Sequence, residues 1–242
     1  MFLKRRLKNL LRYLRHRQKN LNTLLETFEL NNYQYAIVGG VIKCACEDST
    51  DIRDIDIIVD TNRYNLEDIL RHYGFSYKRN NFGRFKIQEM AGTFVMSIDV
   101  WTLEDHYPFK VWGCSNPQWK DLPKSAWIST GGAAYLPMKR KLYAKELRRT
   151  LKSNTVHFYN KDLFTTGNVD NKYIIVAKLL YLYKVEEFRL DKDCNEVLHW
   201  YFSKKVRSFR QLIQLIYYLD EHYGARANWR TLVYEADKMF QV

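Results

Sequence analysis

The sequence has little of the residues that bend, cross-link or anchor a chain. Its 242 residues include four prolines and ten glycines, without a low-complexity linker or an internal repeat. Its four cysteines (Cys44, Cys46, Cys114 and Cys194) show no disulfide-like spacing and lack the paired spacing of a zinc site. These absences argue against a disulfide-stapled secreted domain and favour a reducing, cytoplasmic setting.

Long apolar runs are absent as well. No stretch of about 18 apolar residues occurs, so we expect no membrane span. The basic N-terminus has neither a continuous apolar core nor a small-residue cleavage site, so we expect no secretory signal. The chain does have a hydrophobic content of 46%. That content is enough for a packed core in one large domain or two small ones.

The charge is unbalanced toward basic residues. Lys and Arg number 39 against 27 Asp and Glu, which gives a formal net charge of +12. Such a surplus favours a polyanionic partner, because phosphates attract Lys and Arg and release counterions on binding. The alternative is a basic surface that only aids solubility.

Two basic segments are candidates for nucleic-acid binding. Residues 2–28 show leucines at three- and four-residue steps and predict one amphipathic helix, with Arg5 and Arg12 on its basic face. That face could be merely solvated, could follow a phosphate backbone or could lie on a membrane surface. A second basic helix is predicted over 139–152, where the candidate contacts are Lys139, Arg140, Arg148 and Arg149.

The pattern of elements predicts a mixed α/β (α+β) fold. Strands are expected at 33–38, 55–59, 85–88 and 94–101, with helices at 41–46 and 66–73. Four more helices are expected at 171–188, 193–204, 207–222 and 228–240. We therefore predict a basic N-terminal helix (1–30), a catalytic domain with a small mixed sheet (31–135) and a C-terminal helical region (136–242).

One constellation can carry chemistry. Gly39-Gly40 ends an apolar strand and precedes a helix, so a triphosphate could approach its backbone closely. Asp54 and Asp56 share one face of the next strand, with Cα atoms about 6.5 to 7 Å apart. Asp99, on a later strand, completes a set of three acids that could hold two Mg²⁺ (or Mn²⁺) ions. Each feature alone is commonplace: a turn, or polar residues on an exposed strand edge.

Together these motifs resemble a known superfamily. Ile37-Val38-Gly39-Gly40, Asp54-Ile55-Asp56-Ile57 and Ile98-Asp99-Val100 resemble the nucleotidyltransferases typified by DNA polymerase beta, within residues 30 to 103. The nearest likeness is to the head domain of bacterial CCA-adding enzymes and poly(A) polymerases. Asn81-Phe82-Gly83-Arg84-Phe85 resembles the Phe-Gly-Thr turn of that group. Lys43 and Cys44 stand where those enzymes have Arg and Asp.

The resemblance implies a role for each matching residue. Asp54, Asp56 and Asp99 would be catalytic metal ligands, and Asp99 would also help to deprotonate the acceptor hydroxyl. Gly39 and Gly40 would seat the nucleotide, such as ATP, with Lys43 and Arg84 as phosphate contacts. The alternative for Lys43 is a solvated helix residue.

The leading hypothesis is a metal-dependent nucleotidyltransferase that moves a nucleoside monophosphate from a nucleoside triphosphate to an acceptor hydroxyl and releases pyrophosphate. The basic segments favour RNA as the acceptor, with a tRNA 3′ end as the specific expectation and a toxin or defence enzyme as the setting. One alternative acceptor is a protein or a small molecule. A second alternative is a non-catalytic nucleic-acid-binding or antitoxin-like partner.

Overall fold

A central seven-stranded mixed sheet organises the structure, a computed structural model that describes residues 2–50, 52, 54–80, 83–91, 94–167, 169, 171–206 and 208–240. Its strands are β1 (Tyr35–Val38), β2 (Asp54–Val59), β3 (Tyr77–Arg79), β4 (Phe85–Ala91), β5 (Phe94–Thr102), β6 (Ala134–Leu136) and β7 (Lys141–Tyr143). Their order across the sheet is β3-β4-β5-β2-β1-β6-β7, and the β2–β5 pair is parallel whereas the other neighbours are antiparallel. The mixed α/β prediction is confirmed.

Two helices precede these strands along the chain, and the others lie between or after them. They are α1 (Phe2–Arg17), α2 (Lys19–Leu30), α3 (Gly40–Glu47), α4 (Arg63–His72), α5 (Tyr107–Val111), α6 (Leu122–Ser125), α7 (Lys145–Ser153), α8 (Lys161–Thr166), α9 (Lys172–Lys184), α10 (Lys192–Trp200), α11 (Phe209–Tyr223) and α12 (Trp229–Phe240). No helix in the described ranges is long and apolar enough to cross a membrane.

The chain divides into two compact units. Met1–Ala126 with Thr130–Arg148 forms the first, and Trp127–Ser129 with Arg149–Val242 forms the second. The first unit holds the seven-stranded sheet. In the second, the buried ring of Phe164 lies edge-on to Trp127, Phe158 and Trp200, and α9 to α12 supply further buried side chains.

The two faces of the sheet have different cores. Ala36 and Ile58 pack with Leu103, Phe109 and Leu122 on one face. Strand side chains alternate, so Tyr35 and Ile37 project to the other face, where Tyr35 meets the ring of Phe28 from α2. The central strands are therefore buried on both sides, which fits their nearly continuous apolar sequences.

The single helix predicted over 2–28 is wrong, because the segment forms two helices. Gln18 separates them in an extended conformation (φ −123°, ψ 97°) and is itself buried. Its N–H still donates to the Leu14 carbonyl, and its own carbonyl accepts from the Asn22 N–H. The chain changes direction there without losing these hydrogen bonds, and leucines of both helices remain in the core.

The basic helix predicted over 139–152 is also wrong in its first half. Arg140 lies in a left-handed turn (φ 49°), where its N–H donates to the Pro137 carbonyl. Lys141–Tyr143 then forms β7 against β6, and the helix begins only at Lys145. The β6–β7 hairpin forms instead of a helix because its backbone hydrogen bonds and the buried β6 side chains outweigh the helical propensity of a few lysines and arginines.

Candidate active site

The predicted acids lie at the centre of the sheet. β2 has β1 on one side and β5 on the other, and its residues Ile55 and Ile57 are completely buried. Alternation along the strand turns Asp54 and Asp56 to the same face, with Asp54 exposed and Asp56 half-buried. The fixed apolar positions therefore set the direction of both carboxylates.

Asp99 joins them from the neighbouring strand. It is the direct partner of Asp56 in the parallel β2–β5 register, and Asp54 is paired with Ser97. Paired residues of adjacent strands project to the same side of a sheet, so the structure brings all three predicted acids to one face. The Asp99 side chain is almost fully buried, with 7% of its surface exposed.

Two basic residues of the β4 side approach Asp99. Arg84 Nη1 donates to Asp99 Oδ2 at 3.0 Å, and Lys86 is the register partner of Asp99 across the β4–β5 pair. Burial raises the pKa of Asp99 and outweighs the lowering effect of Arg84 and Lys86, while the negative charge of Asp54 raises it further. Asp99 is therefore a better proton acceptor than an exposed carboxylate.

A tight turn positions Arg84 for this contact. Its backbone N–H donates to Asn80 Oδ1 at 2.9 Å, and the Asn80 N–H donates to the Arg84 carbonyl at 3.0 Å. Gly83 within the turn has a left-handed φ of 84°. Of the predicted Phe-Gly-Thr-like turn, Asn81 and Phe82 lie outside the described residues.

Gly39 lies directly against the carboxylate of Asp56. It ends β1 with φ 70° and ψ −132°, and a Cβ atom built on it would be 3.0 Å from Asp56 Oδ2. Both its conformation and the space beside it therefore require glycine. Gly40 begins α3, and a Cβ atom there would meet nothing within 4 Å. The two glycines thus have different structural roles.

Lys43, one turn further along α3, forms an ion pair with Glu47 at 3.2 Å. Its side chain is 17% exposed. The pair follows the i, i+4 spacing that stabilises a helix surface by a few tenths of a kcal/mol. To contact a phosphate as predicted, Lys43 would therefore have to leave its weak ion pair with Glu47.

Three of the six predicted nucleic-acid contacts lie together. Arg5, Arg12 and Arg140 line the same cavity, which also contains Tyr35. The remaining predicted residues do not line it: Lys139 is exposed beside Arg140, Arg148 is exposed on α7, and Arg149 belongs to the second compact unit.

Sequence reasoning missed Lys86. On the sequence alone it is one lysine among many, and only the β4–β5 register places it beside Asp99. A signal was available in the Phe85-x-Ile87 alternation: both residues are fully buried, which turns Lys86 toward the face of the acids.

The donor set fits a hard divalent cation. In the described ranges, no three His, Cys, Asp or Glu side chains converge closely enough to hold a metal ion by themselves. Mg²⁺, however, usually uses one or two carboxylates and completes its shell with water and substrate phosphates. Asp99 Oδ1 is buried and has no hydrogen-bond partner among the described residues, so an oxygen ligand beside Asp56 remains uncommitted.

The chain matches no protein-family model and no curated protein sequence. Its fold does match solved structures. A Thermotoga maritima CCA-adding enzyme complexed with tRNA has a TM-score of 0.66 at 16% identity, covering 98% of this chain and 54% of that one. A CCA-adding enzyme with CTP has a TM-score of 0.64 at 15% identity, covering 97% and 54%.

A tRNA nucleotidyltransferase complexed with a primer tRNA and an incoming ATP analogue matches with a TM-score of 0.57 at 14% identity, covering 89% of this chain and 60% of that one. The nucleotidyltransferase-type fold predicted from the motifs is therefore confirmed. The chain spans only about half the length of these structures.

Proposed function

We propose that the chain is a metal-dependent nucleotidyltransferase that transfers a nucleoside monophosphate to an RNA hydroxyl and releases pyrophosphate. The observation that carries the proposal is the register pairing of Asp56 with Asp99, with Gly39 held against the Asp56 carboxylate. Carboxylates on one face, next to a glycine that leaves room for phosphates, suit phosphoryl chemistry.

Asp54, Asp56 and Asp99 would hold Mg²⁺ or Mn²⁺. When bound, the ion neutralises charge on the triphosphate and lowers the pKa of the attacking hydroxyl. Asp99 would accept the proton of that hydroxyl, a role that its raised pKa supports. Arg84 and Lys43 would leave their carboxylate partners, Asp99 and Glu47, to contact the triphosphate.

RNA is the acceptor that the charge favours. The net charge of +12 suits a polyanion, and solved structures of similar fold are complexes with tRNA. A tRNA 3′ end is the specific acceptor that we propose. Lys43 and Cys44 differ from the CCA-enzyme pattern, so the nucleotide added need not be that of CCA synthesis.

The test is incorporation of each of four labelled nucleoside triphosphates into tRNA, with protein and aminoglycoside acceptors as parallel reactions. Asp54→Ala and Asp56→Ala are expected to abolish incorporation without unfolding the chain. Asp60→Asn is the matched control, because Asp60 is an exposed acid just beyond the end of β2. Full activity in both alanine variants would overturn the proposal, and labelling of protein or drug alone would replace its acceptor.

The toxin or defence role is tested in cells. If the chain blocks tRNA, its expression arrests bacterial growth and Asp56→Ala relieves the arrest. Arrest by both forms, or by neither, contradicts that role and leaves the transferase chemistry to the incorporation assay.

A further inference from the structure

A basic cavity lies on the sheet face opposite the acids. Asp56 is paired with Val38 in β1, and alternation turns Tyr35 and Ile37 to the other face. Tyr135 is paired with Ile37 and shares that face. Both tyrosines line the cavity, which has a volume of about 1040 Å³ and lies within the first compact unit. This cavity is therefore separate from the candidate active site.

The lining of the cavity is strongly cationic. It contains eight Lys or Arg side chains and one histidine, whereas Glu29 is its one carboxylate among the described residues. Arg15 neutralises Glu29 through two contacts of 2.8 and 3.2 Å. The Tyr35 hydroxyl donates to the same carboxylate at 2.7 Å. The single negative charge is thus already satisfied, and the other cations face the cavity without a carboxylate partner in the described ranges.

The basic side chains form a row rather than a cluster. Lys4, Lys8, Arg12 and His16 follow each other at four-residue steps along α1, and all four are exposed. At about 1.5 Å per residue the row is about 18 Å long. A row of this length suits several consecutive phosphates of a nucleic-acid strand, because each basic side chain can neutralise one of them. A single phosphate group or one triphosphate would engage only part of it.

We propose that this cavity and the α1 row bind the phosphate backbone of an RNA strand at a distance from the reacting end. The site rests on the RNA acceptor of the proposed function and deepens it, because binding and transfer then occur on opposite faces of the sheet. The buried leucines Leu7, Leu11 and Leu14 hold α1 in the fold. Substitution of its exposed cations therefore leaves the helix in place.

The test measures fluorescence anisotropy of a labelled 12-nucleotide single-stranded RNA across a salt series. The variant is Lys8→Glu with Arg12→Glu. The control is Lys120→Glu with Lys124→Glu, which makes the same change in net charge at two exposed lysines outside the cavity. The first pair is expected to weaken binding about tenfold or more and to lower the salt slope by about 1.4, at about 0.7 for each lost contact.

The site would be overturned if the cavity variant and the control variant weakened RNA binding equally. It would also be overturned if the cavity variant bound the RNA with wild-type affinity. A second cavity variant, Arg12→Ala with Arg140→Ala, is included in case the first variant does not fold. It is also expected to weaken RNA binding. ATP affinity, measured by calorimetry, is expected to stay unchanged in the cavity variants. A loss of ATP affinity with intact RNA binding would assign the cavity to a nucleotide instead.

These readouts are independent of turnover. Wild-type chain that binds the RNA through the row but incorporates no nucleotide would refute the proposed function and leave this site standing. Incorporation that proceeds while the cavity variants bind RNA like the wild type would refute the site alone.

Discussion

The exchange of Gly39 for alanine tests the geometry of the site without touching a charge. Gly39 has φ 70° and ψ −132°, a conformation that residues with a Cβ atom rarely adopt. Holding alanine there costs on the order of 1–3 kcal/mol. The new methyl group would also lie 3.0 Å from Asp56 Oδ2, so the carboxylate has to shift.

Gly40 supplies the matched control. The same methyl group at Gly40 meets nothing within 4 Å, and Gly40 is the first residue of α3. Alanine has a higher helix propensity than glycine, by up to about 1 kcal/mol within a helix. We therefore expect Gly40→Ala to be neutral or slightly stabilising.

The assay is thermal and urea unfolding of both variants, with ATP affinity measured alongside. Gly39→Ala is expected to lower the melting temperature of the first unit by about 2–4 °C for each kcal/mol lost. It is also expected to weaken ATP binding, because the displaced Asp56 occupies the approach to the backbone. Equal stability of Gly39→Ala and wild type, or equal destabilisation by both exchanges, would refute this reasoning.

Three further predictions concern charge. Arg84→Ala removes a cation that lowers the pKa of Asp99, so the acidic limb of the transfer pH–rate profile is expected to move to higher pH; an unchanged limb contradicts Asp99 as the base. Lys43→Ala is expected to weaken calorimetric ATP affinity about tenfold with little loss of stability. Burial lowers the pKa of His106 from 6.5 to about 4. The chain should therefore lose about 3 kcal/mol of stability as the pH falls from 6.5 toward 4, and His106→Gln should reduce that loss in urea unfolding.

The sequence alone predicts the direction of the acids because that direction depends on local alternation. Ile55 and Ile57 have to be buried, which leaves Asp54 and Asp56 on the other face. The pairing of Asp56 with Asp99 is a property of the strand register, which a single sequence does not contain. For the same reason Lys86 beside Asp99 was missed.

The helix break at Gln18 is invisible to periodicity. Leu14 of α1 and Leu21 of α2 are separated by seven residues, about two helical turns, so the leucine pattern stays in phase, and only the backbone conformation of Gln18 separates the helices. A short strand is equally hard to predict. Lys141–Tyr143 has three residues, and its pairing with β6 depends on contacts that local propensity does not include.

The basic cavity depends both on local helical spacing and on the packing of segments that are distant in the sequence. The basic face of α1 follows from helical spacing, which predicts Arg5 and Arg12 on that face. The floor of the cavity does not follow, because Tyr35 reads in the sequence as an ordinary buried strand residue. Its hydroxyl bond to Glu29 becomes visible only when α2 is placed against β1.

The proposed function requires that the nucleotide and its metal bind on one face of the sheet. The most direct measurement is a crystal structure with a non-hydrolysable nucleoside triphosphate and Mn²⁺, located by its anomalous signal. We predict an Mn²⁺ peak in contact with Asp56 and Asp99, with the triphosphate against the Gly39 backbone. A nucleotide bound elsewhere, with no peak at these carboxylates, would contradict the account.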